Sequence, residues 1–375
     1  MPSKAPLDYQ LNTSFGLKKL TLSKLLIDPI LIFSLLTILI FGLLVLYSAS
    51  GQASTMVVKQ SIYIVIGLFL MFFISRLDQS VYKSFLMHLY WPGLVLLIWV
   101  LLFPAEGYKT DRWIDLGFIS FQPSEVVRLL LPLAAASYLT RNQKRQTIKD
   151  WFVVLIAIFS SGFLIFIQPD LGTALIVLAS GCIPVFLAGF PLPMLMVFVT
   201  VGIILSPFLW STLTPYMQLR VITLFNPESD LLGAGWNISQ SKTAIGSGGL
   251  WGKGYLNGTQ SQLDFIPESH SDFIFSVIGE EFGLLGIFLL LMLYGIILYR
   301  IFKIALNSST EFSRLAASSI GFIFLIYLWI NVSMTVGTLP VVGVPLPLIS
   351  QGGTSMLIHL IAFGFVLSMK KRQTW

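Results

Sequence analysis

"PESHSDFIFSVIGEEFGLLG", residues 267–286, opens an apolar run that continues to about residue 299, long enough for a membrane-spanning helix. Yet it carries Glu268, Asp272, Glu280 and Glu281, with Asp264 just upstream. Carboxylates are costly at membrane depth and usually face a cavity or a partner there. This stretch therefore fixes the solvent of the fold and points to where its chemistry sits.

The rest of the chain agrees on the solvent. Hydrophobic residues make up 55% and charged residues only 11%, with a mean hydropathy of +0.85, against roughly 25% charge in a soluble domain. A span needs about 20 mostly apolar residues. Ten runs fit, at about 29–49, 58–76, 84–103, 122–141, 151–168, 170–190, 192–211, 271–299, 315–337 and 350–369. The expected fold is all-α, a polytopic bundle of about ten transmembrane helices. It divides into a cytoplasmic leader at 1–28, one transmembrane unit at 29–370 with a large outer loop at about 212–270 between the seventh and eighth spans, and a tail at 371–375.

"YSASGQA" after the first run offers small residues for signal cleavage. That run is longer than the usual 7–15-residue apolar segment of a signal peptide and its polar leader is long, so it is read as a retained span. The single cysteine, Cys182, lies in an apolar run and supports neither a disulfide framework nor a cysteine metal site. With the N-terminus inside, 16 of the 23 Lys and Arg residues fall in internal segments, which predicts cytoplasmic termini. The net charge of +6 is then a topology signal and gives no reason to expect nucleic acid.

Acidic residues have the opposite bias: 12 of 17 lie in outer loops or at outer span ends. Solvated loop charge accounts for many of them, but not for Glu125, Arg128, Glu280 and Glu281 inside apolar runs. At about 1.5 Å per residue, Arg128 lies roughly 9 Å below the outer boundary and Glu280 and Glu281 about 12 to 14 Å below Asp272. The polar chemistry opens outward. Glu125 and Arg128, spaced i, i+3, share a helical face; they form either a structural ion pair or one that also shapes a cavity wall. The 212–270 loop is rich in Gly, Ser, Asn and Gln, and Gly-rich backbone can approach phosphates closely. No Walker or dinucleotide fingerprint accompanies it, which argues against nucleotide hydrolysis. Pro340, Pro345 and Pro347 mark irregular backbone between the last two spans, either closing the same site or forming an ordinary surface loop.

The chain resembles the SEDS family (shape, elongation, division and sporulation), and its RodA branch in particular. The likeness runs from "YSASG" (47–51) to "PLPLISQGGTS" (345–355), through "RWIDLG" (112–117), "FQPSE" (121–125), "QPDLGT" (168–173), "AIGSGGLWGKG" (244–254), "GTQSQLDFIPESHSDFIF" (258–275) and "GEEFG" (279–283). It departs from the family pattern at Ser271, where Thr is usual, at Arg128, where Lys is usual, and at Gln351, where Tyr is usual. The resemblance implies a peptidoglycan glycosyltransferase that polymerises lipid II into glycan strands at the outer face of the bacterial cytoplasmic membrane during elongation. It places catalysis on Asp272. It also implies a single-span class B penicillin-binding protein as partner, expected near the eighth and ninth spans, where Gly286, Ala316, Ala317 and Gly321 permit close helix approach, together with other elongation-complex proteins.

The implied chemistry is displacement at an anomeric carbon by a sugar hydroxyl. A diphosphate leaves readily and needs cations more than a general acid, so one carboxylate suffices as base. Asp272 and Glu280, about 12 Å apart in helix rise, do not form a hydrolase pair. Lys109, Arg112, Arg220, Lys242 and Lys253 are the candidate diphosphate partners, each with a solvated loop charge as its alternative. Trp113, Gln122, Ser124, Glu125, Arg128, Gln240, His270, Glu280 and Glu281 are expected to line the substrate cavity. A divalent cation, Mg or Mn, bound by carboxylates remains open. Asp272 has its own alternative, a carboxylate offsetting a helix dipole. Two competing functions are a lipid II flippase, which needs polar lining through both membrane halves, and a scaffold that only docks a partner.

Overall fold

Asp28 begins the bundle: its carboxylate accepts a hydrogen bond from the Leu31 amide at 3.2 Å and Pro29 sets the first helical turn. The computed structural model describes residues 28–103, 112–115, 120–141, 146–225, 230, 233–263 and 265–370. Helices α1 (Pro29–Ala49), α2 (Ser54–Ser75) and α3 (Gln79–Leu102) lead to a two-residue antiparallel ladder, β1 (Ile114–Asp115) with β2 (Ser120–Phe121). Then come α4 (Pro123–Leu139), α5 (Ile148–Ile167), α6 (Leu171–Leu187) and α7 (Leu192–Thr212). The 212–270 segment holds α8 (Pro215–Phe225), α9 (Ala234–Ser247) and the single turn α10 (Thr259–Gln262). The chain closes with α11 (Ile274–Leu306), α12 (Glu311–Val336) and α13 (Gly353–Ser368).

The main contacts pair α13 with α2, α3 with α4, α11 with α12, α4 and α5 with α6, and α1 with α11. Among the described residues the two larger apolar cores join α1, α2, α11, α12 and α13 in one and α3 to α6 in the other, with α3 and α4 contributing to both. In α4 only Val126 and Tyr138 escape burial, the signature of a helix surrounded by protein on every side.

The expected count of about ten spans is corrected. Among the described residues six helices are long and apolar enough to cross a membrane: α1, α2, α3, α5, α11 and α12. The apolar runs at 122–141, 170–190 and 350–369 overstate their helices, because apolar composition continues through caps and turns. Asp170 caps α6 and Gly352 precedes α13, leaving helices of 17, 17 and 16 residues. Their rise of about 24–26 Å falls short of a core about 30 Å thick. The run at 192–211 forms α7, whose apolar stretch over 192–208 is not among those six. The chain remains an all-α, multi-pass membrane protein apart from the two-residue ladder.

Helix α11 is broken where the acidic stretch ends. Gly283 has φ 65° and ψ −165°, a conformation reserved for glycine. The glycine-rich loop after α9 fills the break: the amides of Lys253 and Gly254 donate to the carbonyls of Glu280 and Glu281 at 2.9 and 3.0 Å. In return, the amides of Leu284 and Leu285 donate to Gly249 and Leu250 at 2.9 and 3.2 Å. Backbone groups freed by the kink are thus re-paired within the protein, the condition for irregular backbone at membrane depth. A Cβ at Gly248 or Gly252 would stand 2.0 or 2.1 Å from a carbonyl oxygen of α11, so the contact requires glycine on the loop side too.

At the other end of α11, Arg300 forks onto Asp28, Nε to Oδ1 at 3.0 Å and a terminal nitrogen to Oδ2, while Lys370 Nζ lies 3.7 Å from the same carboxylate. Small residues on α12 are used inside the chain. Ala316 and Ala317 are buried, and a Cβ on Gly321 would meet Ile301 and Phe302 of α11 at 3.0–3.1 Å.

Candidate active site

The acidic stretch separates into two structural roles. Glu280 is completely buried and accepts hydrogen bonds from Lys253 Nζ (2.7 Å), the Thr259 amide and hydroxyl (2.8 and 3.0 Å) and the Gln260 amide (2.9 Å). It therefore collects the N-terminal amides of α10 around one carboxylate. Glu281, also buried, accepts from the Ser48 hydroxyl of α1. Gln262 Nε2 reaches the Ser48 carbonyl at 3.1 Å, so α1, α10 and α11 are laced together here. Both carboxylates hold these elements to one another.

Asp272 lies outside this lacing, in the turn before α11. The amide of Ser276 bonds to Phe273 rather than to Asp272, so the Asp272 carbonyl lies outside the helical ladder. Its main chain is instead held by neighbours. Asn331 Nδ2 of α12 donates to the Asp272 carbonyl at 2.9 Å, Ser350 Oγ donates to Ser271 O at 2.6 Å, and the Gln351 amide donates to His270 O at 3.0 Å. The 338–350 loop passes close to the carboxylate: a Cβ on Gly343 would lie 3.4 Å from Asp272 Oδ2. Arg220 of α8 donates to the neighbouring Val342 carbonyl at 3.4 Å. Burial first, and then the charge of Glu268, pushes the Asp272 carboxyl up to about 6, while Arg220 pulls it down.

The same loop touches α6 on its other side, where a Cβ on Gly172 would meet Val342. There Asp170 caps α6 through the Thr173 amide at 3.1 Å and pairs with Arg112 at 2.7 Å. Arg112 also reaches the Pro169 carbonyl at 3.2 Å. Trp113 follows, partly buried. Deeper in the bundle Glu125 and Arg128 pair at 2.6 Å, both buried. The guanidinium lies 3.8 Å from the Tyr327 ring centroid, and the Tyr327 hydroxyl donates to Glu125 at 3.3 Å. Tyr327 stacks edge-on to His359, whose Nδ1 lies 2.7 Å from the Ser355 carbonyl.

Of the sequence candidates, Asp272 and Arg220 are brought together, with His270 and Glu268 on the adjoining turn. Lys253, Arg112 and Arg128 are engaged with Glu280, Asp170 and Glu125. Lys242 lies against Gly337 at the C-terminal cap of α12. Gln240 is half-buried on α9, Gln122 is the N-cap of α4 and Ser124 is buried in its first turn. Lys109 and Asp264 lie outside the described residues. Sequence reasoning did not single out Asn331, Tyr327, His359, Ser350 or Asp170. A lone amide or imidazole in an apolar run, such as Asn331 in "LWINVSM" or His359 in "MLIHLI", was the available signal. Among the described residues no group of three or more His, Cys, Asp or Glu side chains is arranged to hold a metal ion.

A family model described as a cell cycle protein, spanning FtsW, RodA and SpoVE, matches residues 29–374. The chain is 42% identical over 353 residues to the peptidoglycan glycosyltransferase MrdB of Escherichia coli K12, covering 94% of this chain and 95% of MrdB. Its fold is similar to a chain of a peptidoglycan synthase complex that coordinates polymerisation and crosslinking. That match has a TM-score of 0.79 and 31% identity over 90% of this chain and 96% of the other. It is also similar to the crystal structure of the rod shape determining protein RodA of Thermus thermophilus, with a TM-score of 0.68 and 29% identity over 90% and 94%.

Proposed function

Because the chain belongs to the cell cycle protein family of FtsW, RodA and SpoVE, the SEDS family of its motifs, we propose that it polymerises lipid II with Asp272 as the general base. The chain is a peptidoglycan glycosyltransferase that makes glycan strands. The observation that carries the residue assignment is the Asp272 carboxyl itself. It lies partly buried in the turn before α11, within the field of Arg220 and beside the Gly343 loop, and burial pushes it up to about 6, into the range of a general base.

In this reading a sugar hydroxyl of one lipid-linked chain attacks the anomeric carbon of another. The new glycosidic C–O bond forms as the bond to the diphosphate breaks, and Asp272 takes the hydroxyl proton. Arg220 stabilises the departing diphosphate. Glu280, Glu281 and the Glu125–Arg128 pair are structural supports of the cavity. The catalytic end faces the exterior of the cytoplasmic membrane, and the Asp28–Arg300–Lys370 end lies at the cytoplasmic side with both termini. The charge bias of the sequence supports this orientation. The reaction serves elongation and rod shape.

A single-span class B penicillin-binding protein docks beside α11 and α12. Since the small residues of α12 are used within the chain, the contact falls on the exposed apolar groove of Leu250, Trp251, Leu284, Leu285 and Phe288. Crosslinkers at Leu284 or Phe288 trap that partner; trapping only at α2 or α5 refutes the placement. The function is tested with lipid II and the purified complex, measuring glycan length for wild type and Asp272→Asn beside a liposome flipping assay. Polymer from wild type alone supports the reading, and flipping without polymer overturns it.

A further inference from the structure

Asn331 is an amide inside the apolar helix α12, completely buried. Burying an amide is costly unless its hydrogens find acceptors, and this one gives both to carbonyls from segments distant in sequence. Nδ2 donates to Asp272 O at 2.9 Å and to Val344 O at 2.7 Å. The first segment carries the carboxylate. The second contains Gly343, whose left-handed backbone (φ 79°) passes beside Asp272 Oδ2. The Asp272 carbonyl receives no helical partner from Ser276, whose amide is bonded to Phe273, and Asn331 supplies one. A leucine would fill the same space and seal α12 to its neighbours. The amide adds the relative placement of the two strips of main chain that bracket one carboxylate.

We propose that Asn331 is a positioning residue for glycan polymerisation: its side-chain amide pins the Asp272 main chain to the Gly343 loop and so fixes where the carboxylate meets the acceptor hydroxyl. The proposal rests on Asp272 being the base. Near-donor geometry matters because a misplacement of about 1 Å can cost on the order of 100-fold in rate. The groups that bear on Asp272 electrostatically are Glu268 on its own turn and Arg220 from α8. Asn331 from α12 and Gly343 from the loop do not titrate. Releasing the pin exposes the carboxylate to water without removing a charge.

The test uses the full chain purified with its transpeptidase partner. Lipid II polymerisation is followed across pH for wild type, Asp272→Asn, Asn331→Ala and Asn331→Ser, with the melting temperature of each. Asn331→Ala is expected to lower kcat by about 10-fold or more and leave KM for lipid II within about two-fold. The acid limb of its pH profile should move below that of wild type, which is expected near 6 if Asp272 is the base. Asn331→Ser, which keeps a shorter donor, should recover part of kcat. Wild-type kcat and an unmoved acid limb in Asn331→Ala, with Asp272→Asn inactive, overturn the positioning role alone. So does a loss of kcat that follows only the folded fraction. If Asn331→Ala does not fold, the same criteria are read from Asn331→Ser. Full polymerisation by Asp272→Asn overturns the base assignment and the positioning role with it.

Discussion

In the proposed mechanism Asp272 takes up a proton only when it is ionised, and burial pushes its carboxyl up to about 6. Polymerisation should therefore rise with pH through about 6, with an acid limb missing from the residual activity of Asp272→Asn. That variant should lose on the order of 100-fold or more of the rate, measured as glycan formed per minute from lipid II. The same shift has a stability consequence. The carboxyl is raised from 3.8, so its contribution to stability is complete below about 3.8 and is lost as pH rises through about 6. Asp272→Asn should melt at or above the wild-type temperature at pH 8 and converge with it, or fall below it, near pH 4, as scanning fluorimetry can check. At this scale the sequence is informative about charge and about partners one helical turn apart, but not about partners distant in the chain. A carboxylate in an apolar run announces itself. That Glu280 would be matched by Lys253 depends on a glycine loop folding back across 27 residues, which no local spacing encodes. Asn331 offered one amide among 26 residues of α12, too weak a polar signal to stand out.

Elements tell a related story. Glu125 and Arg128 were expected to pair from their i, i+3 spacing, and they do so in a helix buried on all sides. Removing either partner leaves a buried charge, a loss on the order of 3–5 kcal/mol, whereas the double substitution removes both. Glu125→Ala and Arg128→Ala should each lower the melting temperature of the purified chain sharply. The double variant should be milder than their sum, and strict additivity would refute the pairing. The helices themselves were legible as all-α, but their number as spans was not. Hydropathy adds up side chains and does not register where a cap ends the backbone ladder, as Asp170 does before α6 and Gly352 before α13. Nor can it distinguish a helix surrounded by lipid from one surrounded by protein, which is the situation of α4.

Across the whole molecule α11 joins two poles. At one stands Asp272. At the other Arg300 and Lys370 converge on Asp28, which also caps α1, so one carboxylate ties the ends of α1, α11 and α13. Asp28→Asn keeps the cap but gives up the charge, and should lower stability by about 1.5–3 kcal/mol, the scale of a hydrogen bond to a charged group. Glycan synthesis per folded molecule should remain, because the change is at the far pole. Chemical denaturation together with polymerisation per folded enzyme checks both halves of that expectation. A matching loss of turnover in folded enzyme would mean that the two ends communicate through α11.

The repair of the α11 break by residues 249–254 has a practical corollary for anyone labelling this protein. On a topology diagram "GLWGKG" is an obvious place for an epitope tag or a fluorescent fusion, since Leu250 and Trp251 are exposed. Its main chain is nevertheless half of a broken helix. A tag between Gly252 and Lys253 separates Gly249 and Leu250 from Lys253 and Gly254, the two pairs that close the gap on opposite sides. Such an insertion should abolish assembly, as judged by membrane yield and detergent-stable monodispersity. The same tag between Ser308 and Ser309, in the turn joining α11 to α12, interrupts no backbone pairing of this kind and should be tolerated. Surface exposure would mislead the engineer here, and the route of the peptide hydrogen bonds is the better guide to where this chain can be cut.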